Sequence, residues 1–320
     1  MAQAPFVIQP YLTSIVLAYR NLKMIADDVL PRVPVLSEVF KYSLYNKGDA
    51  FTVPETQVGR KGKVNEIDWG ATEVTSAVND YGLEDPIPFR DIMNANSVPS
   101  TPINPEAHSS ELLADLISLD REKRVAALVF ADATYPAANK VDLSVSSGVN
   151  QWDNFDPTTG SNPIAQITAA MDGMLVRPNT MVLGRQVATK LMQNPRIIKA
   201  FNANLGDSGI VPLDFIRVLF GLEKILIGEG WVNSKKKGQT ATMVRIWGKS
   251  AALLAINPLV QSTVGGVTFG ITAEWGTRVA GTRQDPDIGL RGGTRVRVGE
   301  SVKELVTASD AGYLFENAIA

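Results

Sequence analysis

The chain of 320 residues contains no cysteine and a single histidine, His108. Without cysteine no disulfide can form, and metal centres built on Cys/His clusters have no ligand set to draw on. A Cys–His nucleophile is excluded, and a Ser–His triad would have to use His108. An excess of one charge is lacking too. There are 31 basic and 33 acidic side chains, a formal net charge of −2, so no global basic footprint is present for gripping nucleic acid phosphates. No run approaches 18 uninterrupted apolar residues, which argues against a membrane span. The opening MAQAPFVIQPYLTSIVLAYR has no basic n-region, and Pro10 and Arg20 interrupt its apolar stretch, which argues against a signal peptide. These absences imply a soluble protein made in the cytoplasm.

What is present is a core-forming composition, 45% hydrophobic and 20% charged. The length accommodates about two domains at roughly 150 residues each. Between Pro10 and Pro31 the residues Leu12, Ile15, Val16, Tyr19, Leu22, Ala26 and Val29 recur at helical spacing. Pro31 stops that helix, and PRVPV beyond it favours extended backbone. Asn104-Pro105 marks the start of the longest helical pattern, Glu106 to about Thr134, because Asn is a strong N-cap and Pro suits the first helical position. Leu112, Leu113, Leu116, Ile117 and Leu119 form its stripe. DREKR (Asp120, Arg121, Glu122, Lys123, Arg124) interrupts that stripe, reading either as a solvated turn with local ion pairs or as a polar contact with neighbouring subunits.

Asn162-Pro163 and Asn194-Pro195 repeat the capping device, RPNTMVLG reads as a short buried strand, and PLDFIRVLF is a short helix with Gly221 as its stop. Beyond it KILIGEGWVN, TMVRIW, SAALLAI, VTFGITAEW, TRVRVG and GYLFENAI read as strands.

Residues 50–85 read as a long two-stranded arm. FTVPETQV and TEVTSAVNDYGL are β-like runs flanking a basic turn that carries Arg60, Lys61 and Lys63. Large apolar residues are few there: Phe51, Ile67, Trp69, Tyr81 and Leu83. Ordering some 35 residues at roughly 1–2 kcal/mol each opposes folding by about 35–70 kcal/mol, and an isolated hairpin is marginal in water. The arm is therefore expected to lie on a neighbouring subunit, or to stay mobile until one arrives.

Enzyme motifs are weak. Gly206-Asp207-Ser208-Gly209 resembles the GDSG of serine proteases with His108 upstream, but Ile210-Val211 follows it and helical patterns flank it, so a glycine-rich loop is the simpler reading. Phosphate loops of the GxGxxG and GxxxxGK[ST] types are absent. DNFDPTTGSN, residues 153–162, departs from the EF-hand pattern and reads as an Asx-rich turn. SKKKGQT, residues 234–240, reads as a solvated hairpin tip, with a phosphate contact as the alternative.

The order of elements (N-terminal arm, long β arm, long helix, mixed α/β region, final β segment) resembles the major capsid proteins of tailed bacteriophages, with their Hong Kong 97-type fold. The stretches YRNLKMIADDVLPRVPV, KYSLYNKGDAF, DYGLEDPIP, NTMVLGRQVATKLMQNPRIIKAF and DAGYLFENAIA carry the resemblance, which spans nearly the whole chain. It implies an α+β fold: an N-arm at 1–49, an extended β-hairpin E-loop at 50–85, a peripheral domain at 86–165 and 268–305 with a spine helix at about 106–134, and an axial mixed α/β domain at 166–267 and 306–320.

The resemblance also implies a structural protein without catalysis or cofactor, assembling with itself as hexamers and pentamers into an icosahedral shell. That shell encloses double-stranded DNA without sequence-specific binding and changes shape as a procapsid matures. Arg60, Lys61 and Lys63, and the helix residues Asp120, Arg121, Glu122, Lys123 and Arg124, are the expected inter-subunit contacts. A portal, a decoration protein and a separate scaffolding protein are the further partners, the last because the chain starts at Met1 directly in the arm. No crosslink of Lys61 or Lys63 to Asn317 is expected. The location is the virion capsid, with assembly in the host bacterial cytoplasm. The alternatives are an encapsulin-type compartment shell and, from another class, a soluble hydrolase using carboxylates or Ser208.

Overall fold

The computed structural model describes residues 7–8, 24–45, 52–64, 66, 71–96, 104–145, 149–156, 158–202, 208–236, 238–258 and 267–320. Most of the helix expected between Pro10 and Pro31, along with Phe51, Ile67, Trp69, Gly206 and Asp207, lies outside them.

Chain order begins with β1 (Val7–Ile8), α1 (Ala26–Val29), β2 (Arg32–Val35), β3 (Val39–Tyr45), β4 (Ala71–Ala77) and β5 (Asn79–Pro88). Next come α2 (Phe89–Asn96), α3 (Pro105–Val129) and β6 (Lys140–Asp142). A mixed stretch follows: α4 (Pro163–Gly173), β7 (Thr180–Gly184), α5 (Arg185–Met192), α6 (Pro195–Asn202), α7 (Leu213–Phe220), β8 (Lys224–Gly228), β9 (Trp231–Asn233) and β10 (Met243–Arg245). The chain ends in β11 (Ala251–Leu254), β12 (Gly270–Trp275), β13 (Val279–Asp285), β14 (Gly293–Val306) and β15 (Gly312–Glu316).

The first sheet is built on β14, whose buried residues Thr294, Val296, Val298, Glu300 and Val302 alternate with less buried ones, the period of two of a one-sided strand. β5 pairs with one edge of β14, and β13 and β12 share the other. β1 extends beyond β13 and β2 runs parallel beside β12. β5 has no second strand partner among the described residues. It carries Pro86 and Pro88; since the Phe89 amide donates inward to Gly292 O, the missing amides of the two prolines are the outward ones.

The second sheet has the order β6-β15-β11-β7-β8, with β11 antiparallel to both β15 and β7. Every residue of β7 and β11 is buried. Alternation then feeds two cores. Met181, Leu183, Ala251 and Leu253 face a cluster with α4–α7, while Val182, Ala252 and Leu254 face one with Val125, Ala126 and Val129 of α3. The N-terminal half of α3 packs instead on the first sheet, through Leu113, Ala114 and Ile117 against Val296 and Val298. This helix therefore bridges the two sheets. At the end of β7, a Cβ on Gly184 would sit 2.1 Å from the carbonyl oxygens of Trp247 and Gly248, so only glycine permits that approach.

The capping expectations hold. Asn104 accepts from Glu106 N and Ala107 N, Asn162 from Ala165 N and Asn194 from Arg196 N. Gly221 ends α7 at φ 64°.

Several expectations need correction. The ribbon's strands are β3 and β4, so the arm begins at 36–39 and ends at 78 rather than spanning 50–85. The described part of FTVPETQV is exposed and carries no strand, as Pro54 has no amide to pair. NDYGL belongs to β5, in register with β14. The expected peripheral boundary at 165 also shifts, because β6 joins the second sheet and Trp152 is buried in its core. KILIGEGWVN is two strands broken at Glu229-Gly230. β13 was not expected at all, since VAGTRQD reads as polar and glycine-interrupted. The long helix ends at Val129, and a 3-10 turn takes Asp132–Thr134.

Candidate assembly interface

The arm is the most exposed ordered part of the chain. β3 and β4 pair with each other from Val39↔Ala77 to Tyr45↔Ala71 and with no other strand among the described residues. No described residue of the arm joins a buried cluster. Leu36 is 101% exposed and Val53 89%, and Val58 and Val64 are exposed as well. Its ion pairs, Lys41–Glu73 and Lys63–Glu66 at 2.8 Å each, are solvent-exposed and contribute little. At the tip the Gly62 amide donates to Gly59 O at 2.8 Å, and the turn brings Arg60, Lys61 and Lys63 together on an exposed surface.

The expected contact residues on α3 divide, and the structure corrects the reading of DREKR at Arg121 and Glu122. Asp120 and Lys123 are exposed, but Arg121 is 2% and Glu122 0% exposed. Arg121 lies at i+4 from Ile117 and i−4 from Val125, on the buried stripe itself. Both charged side chains fill the junction between the two cores that α3 bridges, where they meet intrachain polar partners instead of a neighbouring subunit.

Glu122 accepts from Ile25 N at 3.0 and 3.1 Å, from Ala26 N at 2.8 Å and from the Trp247 indole at 2.5 Å. Its carboxylate thus serves the free amides at the N-terminus of α1, whose own N-cap, Ile25, supplies no side-chain cap. Arg121 serves the opposite end. Its Nη2 donates to Leu30 O at 3.4 Å and to Thr272 Oγ1 at 3.0 Å, and Nη1 pairs with Asp27. Consecutive residues of α3 therefore clamp a four-residue helix at both ends, with the charges matched to its dipole.

The clamp continues into an ionic network. Arg32 donates to Asp27 at 2.8 Å, Glu274 at 2.9 Å and Glu300 at 3.0 Å, and Arg278 adds a 2.8 Å bond to Glu300. Arg124 joins Asp120 and Glu304 and lies 3.6 Å from the Tyr81 ring centroid. The segment 24–35, a strap at the root of the arm, is thereby fastened to α3, β12 and β14.

These environments set the protonation of the carboxylates. Burial pushes Asp27 upward, but the Arg121 and Arg32 guanidiniums outweigh it and hold its carboxyl at about 2, against 3.8. Burial likewise opposes ionisation of Glu300, and Arg32 and Arg278 overcome it, lowering its pKa. For Glu122 burial dominates the hydrogen bonds it accepts, and its pKa is raised.

A depressed carboxylate contributes stability that is present above its unfolded value and lost as pH falls through the folded one. Asp27→Asn is therefore expected to lower the melting temperature at pH 7 by about 2–4 °C, a modest amount because Asp27 is half-exposed. The gap to wild type should close between pH 3.8 and about pH 2 in a melting-temperature titration. Glu122 titrates in both proteins and cancels from the gap, so a gap that widened in acid would contradict the assignment to Asp27.

The remaining candidates have structural homes. Asn154 Oδ1 accepts from Asp156 N, and Asp156 Oδ1 from Thr158 N and Thr159 N, making the expected Asx-rich turn. No group of His, Asp or Glu able to hold a metal ion occurs among the described residues. β9 and β10 pair as the hairpin whose tip carries Lys235 and Lys236. His108 is exposed on α3 and Ser208 is exposed ahead of α7. Beside α3 opens a cavity of about 370 Å³ lined by Asp115, Leu119, Arg185, Glu229, Trp231 and Arg245. Among the described residues no helix is long and apolar enough to cross a membrane.

The chain is 51% identical over 320 residues, the full length of both, to the major capsid protein of Pseudomonas phage JBD67. The crystal structure of a phage-related protein from Bordetella bronchiseptica RB50 aligns with a TM-score of 0.73 at 22% identity, covering 99% of each chain. The capsid structure of cyanophage P-SCSP1u aligns with a TM-score of 0.59 at 13% identity over 99% of this chain and 92% of the other. The fold is the expected α+β capsid fold. No protein-family model matches.

Proposed function

The chain belongs to the family of phage major capsid proteins, and from that premise we propose that the arm built on β3 and β4 is the part that joins copies. The protein is a structural subunit of the icosahedral head shell, assembled from copies of itself and located in the virion capsid. The observation carrying the proposal is the arm's exposure: a ribbon with Leu36, Val53, Val58 and Val64 in solvent, none of whose described residues joins a buried cluster.

The surface that receives it is the outer face of α3 on an adjacent copy. There the exposed Leu112 and Leu116 lie between the acidic Glu111 and Asp120, matching the apolar stem and basic tip of the arm. Asp120 and Lys123 remain inter-subunit contacts in this reading. Arg121 and Glu122 are withdrawn from it, and Arg124 is engaged within its own chain.

Double-stranded DNA is the enclosed cargo, held without sequence-specific contact. A portal, a decoration protein and a separate scaffolding protein are the further partners, the subunit has no catalytic role, and assembly takes place in the host cytoplasm. An encapsulin-type compartment shell would share the fold. The relative at 51% identity favours the phage head, and particles holding DNA instead of cargo protein separate the two.

The test is size-exclusion chromatography with negative-stain microscopy of the expressed chain. Shells, or isolated hexamers and pentamers, are expected, and a compact monomer with an ordered arm would overturn the reading. Reversing Arg60, Lys61 and Lys63 to glutamate should weaken assembly by an amount that shrinks as salt is added, since exposed charges are screened. A salt-independent effect would place the tip somewhere other than an acidic surface.

A further inference from the structure

We propose that Glu122 is a positioning residue for shell assembly: acting through the strap 24–35, it fixes the direction in which the arm leaves the body of the subunit. The proposal rests on the assembly reading above and adds to it the residue that aims the arm.

The geometry begins with the strap's place in the chain. β2 ends at Val35 and β3 begins at Val39, with only the exposed Leu36, Ser37 and Glu38 between them. Whatever orients β2 therefore orients the root of the arm. Among the described residues β2 pairs with one strand, running parallel to β12 from Arg32↔Thr272 to Val35↔Trp275. Short parallel pairings are weak alone, and α1, at four residues, is below the length that sustains an isolated helix. The strap needs outside anchors at its start, and Glu122 is placed there.

The Glu122 carboxylate is fully buried and receives donors from two separate parts of the chain. Ile25 N and Ala26 N come from the strap, and the indole of Trp247 comes from the segment ahead of β11. Trp247 is itself immobilised, with its ring 5.3 Å from that of Phe130 at 85° and Gly228 leaving no room for a Cβ beside it. So Glu122 ties the strap to a fixed point ahead of β11 in the second sheet, which lies in the expected axial domain, while Arg121 and Thr272 hold the strap's other end at Leu30 O. A carboxylate with three convergent donors has one orientation that satisfies all of them, which makes it an aiming device as well as a fastening.

The test compares full-length wild type with Glu122→Gln, Thr272→Val and Trp247→Phe, by hydrogen exchange over 24–35 in unassembled subunits and by shell yield in negative stain. Glu122→Gln removes the charge and turns an amide toward one of the donors, so strap exchange should rise about tenfold or more, and shell yield fall by a comparable factor. Thr272→Val is nearly isosteric, cuts the strap's other anchor and should move both readouts in the same direction, even if Glu122→Gln folds poorly. Trp247→Phe removes the axial donor but keeps both strap amides paired, and should leave strap exchange near wild type.

Unchanged strap exchange in Glu122→Gln overturns the proposal, as does faster exchange with undiminished shell yield. Reduced shell yield in Trp247→Phe with a protected strap supports the aiming role, because the carboxylate then holds the strap without its fixed point, and an undiminished yield in that variant would overturn it. Should wild type form no shells, the assembly reading fails, while strap exchange still reports whether Glu122 holds the strap.

Discussion

Replacing residues 39–77 with an Asn-Gly turn is expected to leave a folded subunit that forms no shells. The Val78 amide donates to Glu38 O, so a two-residue turn between those two residues closes the cut ribbon with compatible geometry. The body should tolerate the loss, because the buried clusters draw on none of the arm's described residues and its described ion pairs are exposed. The melting temperature should stay within a few degrees of wild type, the size of a change of about 1 kcal/mol. Assembly should fall to undetectable levels in sedimentation and microscopy, because the deletion removes the apolar stem and the basic tip together. Normal shells from this variant would mean the arm is an ornament and that copies join through other surfaces. A molten or aggregated product would mean the arm supports its own subunit.

Glu122→Ala should be among the most destabilising single substitutions outside the two main cores, costing about 3–5 kcal/mol. The change strands two backbone amides and an indole N–H at a fully buried position, and it leaves a void beside Arg121. Against a total stability of roughly 5–15 kcal/mol that is a large fraction. Chemical denaturation of wild type and variant measures it as a fall in midpoint at unchanged slope. A loss below about 1 kcal/mol would show that the strap relaxes to find other acceptors.

Much of the architecture is legible in the sequence because the relevant signals are local. Asn-Pro pairs carry their own capping chemistry, and Asn104, Asn162 and Asn194 all fulfil it. The buried strand around Met181 and the stop at Gly221 are read the same way. The resemblance, carried by order and wording over the whole chain, supplied the fold and the function that composition alone could not.

What was misread depends on long-range pairing. The sequence NDYGL follows TEVTSA without a break, yet β4 pairs with β3 while β5 crosses to β14, more than 200 residues away. KYSLY looked like N-arm because its partner is met only beyond residue 70. Of the spine residues, Asp120 and Lys123 sit where a solvated run places them. Arg121 and Glu122 do not, and a signal for them was present: Leu113, Ile117, Arg121, Val125 and Val129 form one unbroken row at intervals of four. Reading DREKR as a block of charge concealed that row. A charged residue in register with an apolar stripe is better read as a buried tie.

The two prolines of β5 have a consequence at the scale of a crowded pool of identical subunits. A ten-residue edge with free amides would recruit any passing strand, and hundreds of copies awaiting incorporation would offer many. Pro86 and Pro88 remove outward donors from that edge, so sheet-to-sheet sticking finds a broken template. Errors in which subunits stack edge to edge are thereby kept from competing with the intended encounter. A variant such as Pro86→Thr or Pro88→Thr is expected to leave the lone subunit intact while raising the share of amorphous material at high concentration, seen as turbidity that outpaces closed particles.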